Sequence, residues 1–207
     1  MKKIKLIEHP LAQHSLSILR NKQTRTEAFQ RHTAIVSQIM IMEATRDLLV
    51  QEIDIETPLT PTTGHQILDS LVFVPVLRAG ISMLVPARSF LPWAPVGFIG
   101  LERDESTASA HEYYQKFPDD LHDKHVLILD PMLATGGSLV DTIAALKKKS
   151  AQVISVVCIV AAPEGIEFIQ HKYPNVQIYT AAIDSHLNEK KYIVPGLGDF
   201  GDRYFGT

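Results

Sequence analysis

The sequence predicts an α/β fold in which a central, largely parallel sheet is covered by helices on both faces. Unbroken apolar runs, typical of strands buried on both sides, alternate with segments in which apolar residues recur at helical spacing. The strand-like runs are residues 72–77, 96–101, 126–129, 153–162 and 178–183. Repeated strand–helix units build parallel sheets, whose ligands bind at the carboxyl ends of the strands.

The helical segments are identified by apolar spacing and by local signals. We expect helices at residues 81–90, 139–149 and 163–172, each after a strand. A longer helix is predicted to begin at the possible capping box Thr24-x-x-Glu27 and to end near Val50. Residues 57–64 contain four threonines, two prolines and a glycine, which predicts a loop.

Composition indicates one domain spanning residues 1–207. The 207 residues, 45% of them hydrophobic, can bury one substantial core, and no linker divides them. The formal net charge of −3 offers no broad attraction to nucleic acid or to an anionic membrane. No apolar signal segment follows the first residues, so we expect a cytoplasmic protein. The single cysteine, Cys158, is interpreted as a small buried hydrophobe rather than a nucleophile.

Residues 125–138 are the most informative segment for function, because a buried strand ends in a carboxylate and leads through a small-residue loop into a helix. The N–H groups of residues 135–138 can turn toward an anion, and the helix dipole adds positive potential, so the loop favours a phosphate monoester. Asp130 is positioned to accept hydrogen bonds from sugar hydroxyls. The alternative is an ordinary surface connection with a Thr or Ser N-cap.

Other phosphate-binding and metal-binding motifs fit the sequence less well. The loop lacks the lysine of a P-loop, which argues against an ordinary NTPase. Gly196, Gly198 and Gly201 match a dinucleotide-binding pattern, but only six residues follow and no helix is expected there. No His/Cys cluster has metal-site spacing, and the histidines, including His111, His125 and His186, are interpreted as solvent-facing or structural.

Several motifs resemble those of type I phosphoribosyltransferases, and in particular the uracil phosphoribosyltransferases, over nearly the whole chain. The central motif resembles the family's signature for phosphoribosyl pyrophosphate (PRPP), with a proline in place of the second acidic residue. It comprises Asp130, Pro131, Met132, Leu133, Ala134, Thr135, Gly136, Gly137 and Ser138. Further matches are residues 74–80, 103–105, 113–116, 161–165, 192–199 and 205–207.

The resemblance implies that uracil N1 displaces pyrophosphate from PRPP, giving UMP. It implies PRPP binding by Arg78, Arg103, the 130–138 loop and Asp199, with Arg78, Asp130 and Asp199 as catalytic residues. Arginines suit the pyrophosphate because each can fork hydrogen bonds onto phosphate oxygens and keeps its charge as the leaving group becomes negative. Mg²⁺ is expected as cofactor, held mainly by PRPP and water, since the sequence has no dense carboxylate cluster to cage it.

Base recognition is expected within residues 192–201, in a small C-terminal base-binding hood. Uracil alternates carbonyl and N–H groups along one edge, and an extended backbone offers the complementary pattern, which cytosine would mismatch. The matching family positions are Ile193, Gly198, Asp199 and Phe200. Two roles are open to Asp199: holding the water and metal network beside pyrophosphate, or helping to remove the N1 proton.

The chain departs from the family pattern at three places. Glu102 replaces a tyrosine, residues 106–111 replace a more acidic stretch with proline, and Phe200 replaces an alanine. Residues 105–118 are polar and would suit a lid that expels water, the alternative being a plain exposed loop. The Phe200 ring is expected to pack toward Tyr204 and Phe205 rather than over the base.

The resemblance also implies a homo-oligomer and, in some members, activation by GTP. Two other functions are considered: a transferase for another base, such as a purine, and a regulatory protein on the same fold that binds nucleotides and RNA. Pro131 and residues 192–199 favour uracil over a purine. The acidic balance and the absence of a clustered Lys/Arg face in the sequence argue against RNA binding.

Overall fold

The structure, a computed structural model, describes residues 3–68, 70–103 and 110–207, without the side chains of residues 102, 103 and 110–112. The helices are α1 (Pro10–Arg20), α2 (Thr26–Ala44), α3 (Ile81–Phe90), α4 (Gly137–Lys148), α5 (Pro163–Lys172) and α6 (Phe200–Phe205). The strands are β1 (Ile4–Leu6), β2 (Val50–Glu56), β3 (Pro61–Ile67), β4 (Ser70–Leu77), β5 (Phe98–Arg103), β6 (Ala110–Lys116), β7 (Lys124–Leu129), β8 (Met132–Leu133), β9 (Val153–Ala161), β10 (Gln177–Ile183), β11 (His186–Leu187) and β12 (Ile193–Val194).

The main sheet confirms the predicted fold class. Its strands lie in the order β1-β10-β9-β7-β4-β5-β6, and β8 also pairs with β9. Strand β6 runs antiparallel to β5, whereas the other pairings between described strands of this sheet are parallel. Strands β4 and β7 are neighbours, with Pro75 opposite Leu129. The residues that follow these two strands therefore meet at one edge of the sheet.

Helices cover both faces because successive strand residues are buried on opposite sides. One hydrophobic cluster joins Phe73 and Leu127 with buried residues of α1, α2 and α3. A second joins Val74 and Val126 with buried residues of α4 and α5. Burial on both sides is the reason that these strands appear in the sequence as unbroken apolar runs.

The long N-terminal helix is shorter than predicted, and the expected capping box is absent. The Thr24 hydroxyl donates to the Ile18 carbonyl at the end of α1 (2.6 Å), so it does not cap α2, whose N-cap Arg25 makes no side-chain cap bond. At the other end the helix stops at Ala44, after which the Thr45 hydroxyl donates to the Ile41 carbonyl (2.8 Å). The predicted end near Val50 is wrong because Val50 begins strand β2.

The prediction of a loop at residues 57–64 is also wrong in part. Strands β2 and β3 form an antiparallel hairpin in which Glu56 pairs with Pro61 and Ile53 with Gly64. The tip is closed by the Thr57 hydroxyl, which donates to the Thr60 carbonyl (2.7 Å). Nearly every residue of both strands is exposed, so no buried face imposes alternation on the sequence, and a proline is tolerated at the first position of a strand.

Most of the described part of the segment predicted as a lid, residues 105–118, is a strand. Residues 110–116 form β6, antiparallel to β5, with Lys116 opposite Phe98. Residues 104–109, which carry most of the departure from the family pattern, lie outside the described residues. Among the helices that are described, none is long and apolar enough to cross a membrane.

The C-terminal region forms a small unit of β11, β12 and α6, at the position of the expected hood. Strands β11 and β12 pair antiparallel through Leu187 and Ile193. The expectation that no helix begins near Gly201 is wrong, because α6 forms six residues from Phe200 to Phe205. This short helix is capped at both ends: Asp199 accepts a hydrogen bond from the Asp202 N–H, and Gly206 ends it with a φ of 76°.

Candidate functional site

The loop after β7 is positioned by hydrogen bonds to strand β9. The Asp130 N–H donates to the Val157 carbonyl (3.2 Å), and the Pro131 carbonyl accepts from both Ile159 and Val160 (3.0 and 3.1 Å). Strand β8 then resumes the pairing through Met132 and Leu133. The main chain is thus fixed to the sheet on both sides of Asp130 before it turns toward α4.

Two glycines allow the loop to approach the first turn of α5. Gly136 has a φ of 81°, and a Cβ atom there would lie 2.9 Å from the Gly165 carbonyl oxygen. A Cβ atom on Gly165 would lie 2.3 Å from the Ala134 carbonyl oxygen. Helix α4 begins at the next residue, Gly137, so the N–H groups of its first turn, which have no partner within the helix, follow the glycine turn directly. The Gly137 N–H makes a long hydrogen bond to the Thr135 hydroxyl (3.5 Å).

The loop borders a cleft of about 550 Å³ that contains nearly all of the predicted phosphate site. Its lining includes Asp130 and residues 132–138, together with Asp141, Phe168 and Lys172. Pro131 is buried and does not line the cleft, because its carbonyl faces β9. The arrangement can bind a phosphate monoester through backbone N–H groups and the helix dipole.

The Asp130 carboxyl group is held in a poorly solvated position beside this cleft. Desolvation raises the pKa of Asp130 to about 7, against a weak opposing hydrogen bond from the Met132 N–H. That hydrogen bond is long, with 3.4 Å between Met132 N and Asp130 Oδ1. A half-buried carboxyl group that faces a cleft and has a single weak donor is suited to accept hydrogen bonds from a ligand.

A second cleft, of about 510 Å³, brings Arg78 and Asp199 together. It is lined by Leu77, Arg78, Ala79, Leu101, Tyr113, Asp199 and Gly201. Arg78 follows strand β4, the Leu77–Arg78 peptide bond is cis, and the turn ends at Gly80. A Cβ atom on Gly80 would lie 2.3 Å from the Leu129 carbonyl oxygen, at the end of the strand that precedes Asp130. The Arg78 turn is therefore packed tightly against the strand of the first cleft.

The predicted base-reading residues occupy different environments. Asp199 lines the second cleft, whereas the side chains of Ile193 and Phe200 are buried in the core. The Phe200 ring contacts Phe29 edge-to-face and stacks on Tyr204, so it points away from the cleft, as expected. Gly198 has a φ of 75°. The N–H groups of Gly198 and Asp199 donate to no other described residue.

Several cleft residues were missed by the sequence analysis. Phe168 and Lys172 reach the first cleft from α5, with the Lys172 ammonium 4.8 Å from the centroid of the Phe168 ring. Tyr113 reaches the second cleft because its ring lies over Gly100, where a Cβ atom would come within 2.4 Å of it. A glycine in a buried strand signals such a close approach. The predicted second arginine, Arg103, ends β5, and its side chain lies outside the described part of the structure.

Cys158, His125 and His186 line neither cleft. Cys158 is fully buried, desolvation raises the pKa of its thiol to about 12, and its Sγ lies 3.5 Å from the Tyr179 carbonyl oxygen. The interpretation of Cys158 as a buried hydrophobe is confirmed. His125 pairs with the Ser155 hydroxyl (2.9 Å) and the exposed His186 with the Ser185 hydroxyl (2.8 Å), while the His111 side chain lies outside the described residues.

The described residues include no group of three or more His, Cys, Asp or Glu side chains that could hold a metal ion. A hard cation at this site would therefore take most of its oxygen ligands from a bound molecule and from water.

Comparison with known proteins identifies relatives over the full chain. The sequence model of the family "Uracil phosphoribosyltransferase" matches residues 6–207. The chain is 47% identical over 208 residues to a uracil phosphoribosyltransferase of Ligilactobacillus salivarius, and 50% identical over 208 residues to one of Streptococcus mutans, with 100% of each chain covered.

Solved structures agree with these relatives. The chain resembles the AQ2163 protein from Aquifex aeolicus, with a TM-score of 0.93, 38% identity and coverage of 99% of this chain and 98% of that one. A purine phosphoribosyltransferase from Pyrococcus horikoshii shares the fold, with a TM-score of 0.50, 19% identity and coverage of 76% and 90%.

Proposed function

Because the chain belongs to the uracil phosphoribosyltransferase family, we propose that its two clefts join uracil to PRPP and release UMP and pyrophosphate. This makes the protein a pentosyltransferase of pyrimidine salvage, with residues 1–207 as one catalytic domain. The observation that carries the assignment of residues is the meeting of the Asp130 loop and the Arg78 turn at the ends of neighbouring strands. Phosphate, ribose and pyrophosphate can then bind along one edge of the sheet.

The 5′-phosphate of PRPP binds to the N–H groups of residues 135–138. The left-handed turn at Gly136 and the start of α4 at Gly137 support this role. Several N–H donors and the helix dipole together can stabilise a bound dianion, so the lysine that a P-loop would provide is not needed. The Asp130 carboxylate accepts hydrogen bonds from the ribose hydroxyls beside this phosphate.

The pyrophosphate group binds at the second cleft, against Arg78 and, from the end of β5, Arg103. As the bond to the anomeric carbon breaks, the ribose becomes positive and the leaving group negative. A positive charge held in place, such as the Arg78 guanidinium, stabilises that separation of charge more than it stabilises bound PRPP. The tight packing of Gly80 against Leu129 keeps the Arg78 turn in one position relative to Asp130.

Mg²⁺ fits this site as an ion carried by the substrate. Asp130 is a half-buried carboxyl group with one weak donor, and no cage of carboxylates surrounds it among the described residues. Asp130 would hold the ion through ribose oxygens or water, and the ion would neutralise charge on the pyrophosphate. Omission of Mg²⁺ or addition of excess chelator is expected to stop UMP formation.

Uracil binds between the second cleft and the hood, where the N–H groups of Gly198 and Asp199, which have no acceptor among the described residues, can donate to its carbonyls. Cytosine presents an amino group at the corresponding position, which would leave a buried donor unpaired at a cost of about 1–3 kcal/mol. Two roles remain assigned to the Asp199 carboxylate, and Asp199→Asn separates them. A fall in kcat with an unchanged KM for PRPP indicates N1 deprotonation, whereas a higher KM for PRPP indicates the pyrophosphate side.

The proposal includes self-association. Large apolar side chains are exposed on the β2–β3 hairpin, among them Leu59 at the tip, which is 95% exposed, and Val50, Ile55 and Ile67. Apolar side chains exposed together are typical of an interface. Sedimentation of the parent and of the Leu59→Ser variant tests this part of the proposal. The variant is expected to shift toward monomer.

The proposal also includes activation by GTP, which is tested by titrating GTP into the assay of UMP formation.

The activity is tested by incubating the purified protein with PRPP, Mg²⁺ and a panel of bases, and by separating the nucleotides formed. UMP should be the main product, with equimolar pyrophosphate. A purine nucleotide as the main product would assign the protein to another base. Filter binding to RNA at several salt concentrations, without turnover of any base, would instead support the regulatory function.

A further inference from the structure

Two arginines outside both clefts hold the loop that precedes Asp199. We propose that Arg20, acting with Asp184, and Arg203 are positioning residues for base recognition, which fix the peptide groups of Gly196 and Leu197. This inference rests on the proposed function, because it concerns the loop assigned to uracil. None of the three side chains lines either cleft.

The first contact is an ion pair between the partly exposed Arg20 and the buried Asp184, which takes up both backbone polar groups of Gly196. Arg20, the last residue of α1, donates to both carboxylate oxygens of Asp184 (2.9 and 2.6 Å) and to the Gly196 carbonyl (3.0 Å). Asp184 in turn accepts a hydrogen bond from the Gly196 N–H (2.8 Å). The two side chains and the backbone of one residue, Gly196, thus form a closed ring of hydrogen bonds, which holds the peptide units on both sides of the Gly196 Cα atom.

Asp184 is itself fixed in position. It follows strand β10, is only 7% exposed, and its N–H donates to the Ala161 carbonyl (2.8 Å) at the end of β9. Gly196 has a φ of 60°, and a Cβ atom there would lie 2.1 Å from the Ile193 carbonyl oxygen. The loop therefore turns sharply at the point where the ion pair holds it.

The second contact comes from Arg203 on α6. Its guanidinium group donates to the carbonyls of Leu197 and Asn21 (2.7 Å each) and also to that of Leu19. It also lies 4.4 Å from the centroid of the Phe29 ring. Arg203 thereby joins the hood to the end of α1. The carbonyl that it holds in the hood, that of Leu197, follows the Gly196 carbonyl held by Arg20.

Together the two arginines leave one part of the loop free. The N–H and carbonyl of Gly196 and the carbonyl of Leu197 are engaged on the side away from the clefts. The next two N–H groups, of Gly198 and Asp199, have no acceptor among the described residues. Because peptide groups in a short turn cannot rotate independently, holding the first set determines where the second set points.

The chemistry of the ring argues for a role in geometry rather than in stability alone. A buried ion pair is often no more stabilising than an apolar pair of the same volume, because both charges must be desolvated. An ion pair differs from an apolar pair because its hydrogen bonds are directional. A guanidinium group can donate to carbonyl and carboxylate oxygens together only when those oxygens lie in one particular arrangement. Arginine is thus suited to hold a recognition loop in one conformation.

The test uses the conservative variants Arg20→Lys and Arg203→Lys, together with Asp184→Asn. Lysine keeps the charge but cannot reach several acceptors at fixed angles. We expect the KM for uracil to rise about tenfold, which corresponds to the loss of one or two hydrogen bonds, with the KM for PRPP changed by less than about threefold. Discrimination against cytosine should weaken by a similar factor.

Two control variants separate positioning from general destabilisation. Ile154→Ala removes a buried side chain near the start of β9, at the opposite edge of the sheet from the clefts, and should lower Tm without changing the KM for uracil. Arg46→Gln removes an exposed arginine that pairs with Glu43. This variant should change neither Tm nor the KM for uracil. Calorimetry provides a second readout, since Arg20→Lys should weaken binding of UMP but not of ribose 5-phosphate, which lacks the base.

The outcomes are distinct. A parent protein that makes no UMP overturns the proposed function and the inference with it. An active parent, with Arg20→Lys and Arg203→Lys variants that lose only stability and keep the parent's KM for uracil and base discrimination, overturns the inference alone. If Asp184→Asn does not fold, the two lysine variants still decide between these results.

Discussion

A Cβ atom on Gly80 would lie 2.3 Å from the carbonyl oxygen of Leu129 and 2.6 Å from the backbone nitrogen of Val76. Both neighbours are backbone atoms of central strands, so neither can move without disturbing the sheet. The turn that carries Arg78 and the strand that precedes Asp130 are therefore in direct backbone contact, which only glycine permits at this position.

We expect Gly80→Ala to be strongly destabilising and to lose PRPP turnover. Overpacking of a core costs about 1–3 kcal/mol or more, and here it would also displace Arg78. Thermal melts and UMP formation measure the two effects. Gly137→Ala is the matched comparison, because a Cβ atom there meets only the Thr135 hydroxyl at 3.8 Å and should leave Tm nearly unchanged. A Gly80→Ala protein with the Tm of the parent would contradict this packing argument.

Asp130→Asn should reduce turnover while stabilising the unliganded protein. An amide cannot replace a carboxylate that holds the ribose hydroxyls as charge develops, so kcat should fall about 10²-fold or more. At pH 8 the same change removes a poorly solvated charge, so Tm should rise. The exposed Asp123, which pairs with His122, provides the control Asp123→Asn. Full turnover, or a fall in Tm, would count against the role assigned to Asp130.

The raised pKa of Asp130 predicts opposite pH trends for activity and for stability. Its folded pKa of about 7 exceeds the ordinary value of 3.8, so between these values the folded state binds more protons than the unfolded state. This contribution to stability is present below pH 4 and is lost as the pH rises to 7. Activity requires the carboxylate, so kcat/KM for PRPP should rise over the upper part of this range.

The measurement is the difference between the parent and Asp130→Asn, because other groups titrate equally in both proteins. The free energy of unfolding should fall with pH more steeply in the parent, and the inflection near pH 7 in its kcat/KM profile should be missing from the variant's residual activity. Parallel stability curves for the two proteins would show that Asp130 is well solvated.

Arg78→Lys should raise the KM for PRPP about tenfold and lower kcat, although the charge is kept. The guanidinium group can donate two parallel hydrogen bonds to phosphate oxygens, and loss of one such bond to a charged group costs about 1.5–3 kcal/mol. Arg88→Lys serves as the control, because Arg88 donates to the Pro92 carbonyl near the end of α3. Parental kinetics in Arg78→Lys would show that charge alone suffices.

The buried parts of the fold could be predicted from the sequence, because strands covered on both faces must be apolar throughout. Helices α3 and α5 were predicted with their observed bounds, because one face of each is buried and its apolar residues recur at helical spacing. The β2–β3 hairpin could not be recognised, since its strands are exposed on both sides and leave no hydrophobic period. The capping box failed because the Thr24 hydroxyl bonds to the Ile18 carbonyl, which no local pattern reveals.

In the site, too, residues that lie close together in the sequence could be predicted, whereas residues brought together from distant positions could not. Asp130, Gly136 and Gly137 lie within one short segment, so their shared chemistry is visible in the sequence. Arg20 and Asp184 are 164 positions apart, and each taken alone is typical of an ordinary surface charge. Only the meeting of the end of α1 with the end of β10 makes them partners. Tyr113 reaches its cleft through a similar long-range contact, over Gly100.

The last prediction concerns Phe200, where the sequence departs from the alanine of the family pattern. Its ring is 3% exposed, lies edge-to-face on Phe29 with centroids 5.2 Å apart, and stacks on Tyr204 at 5.9 Å. Phe200→Ala should therefore cost about 3–5 kcal/mol of stability, as expected for a buried ring. Phe205→Ala, at a half-exposed ring in contact with Tyr204, should cost less.

Base preference should be unchanged in Phe200→Ala, because the proposed hydrogen bonds to uracil come from the N–H groups of Gly198 and Asp199. Those groups belong to the main chain, which Arg20 and Arg203 hold through the carbonyls of Gly196 and Leu197. Assays with uracil and cytosine at a temperature where the variant is folded measure the two kcat/KM values. A large gain in kcat/KM for uracil on truncation would mean that the ring obstructs the base pocket in solution, and that it leaves the position against Phe29.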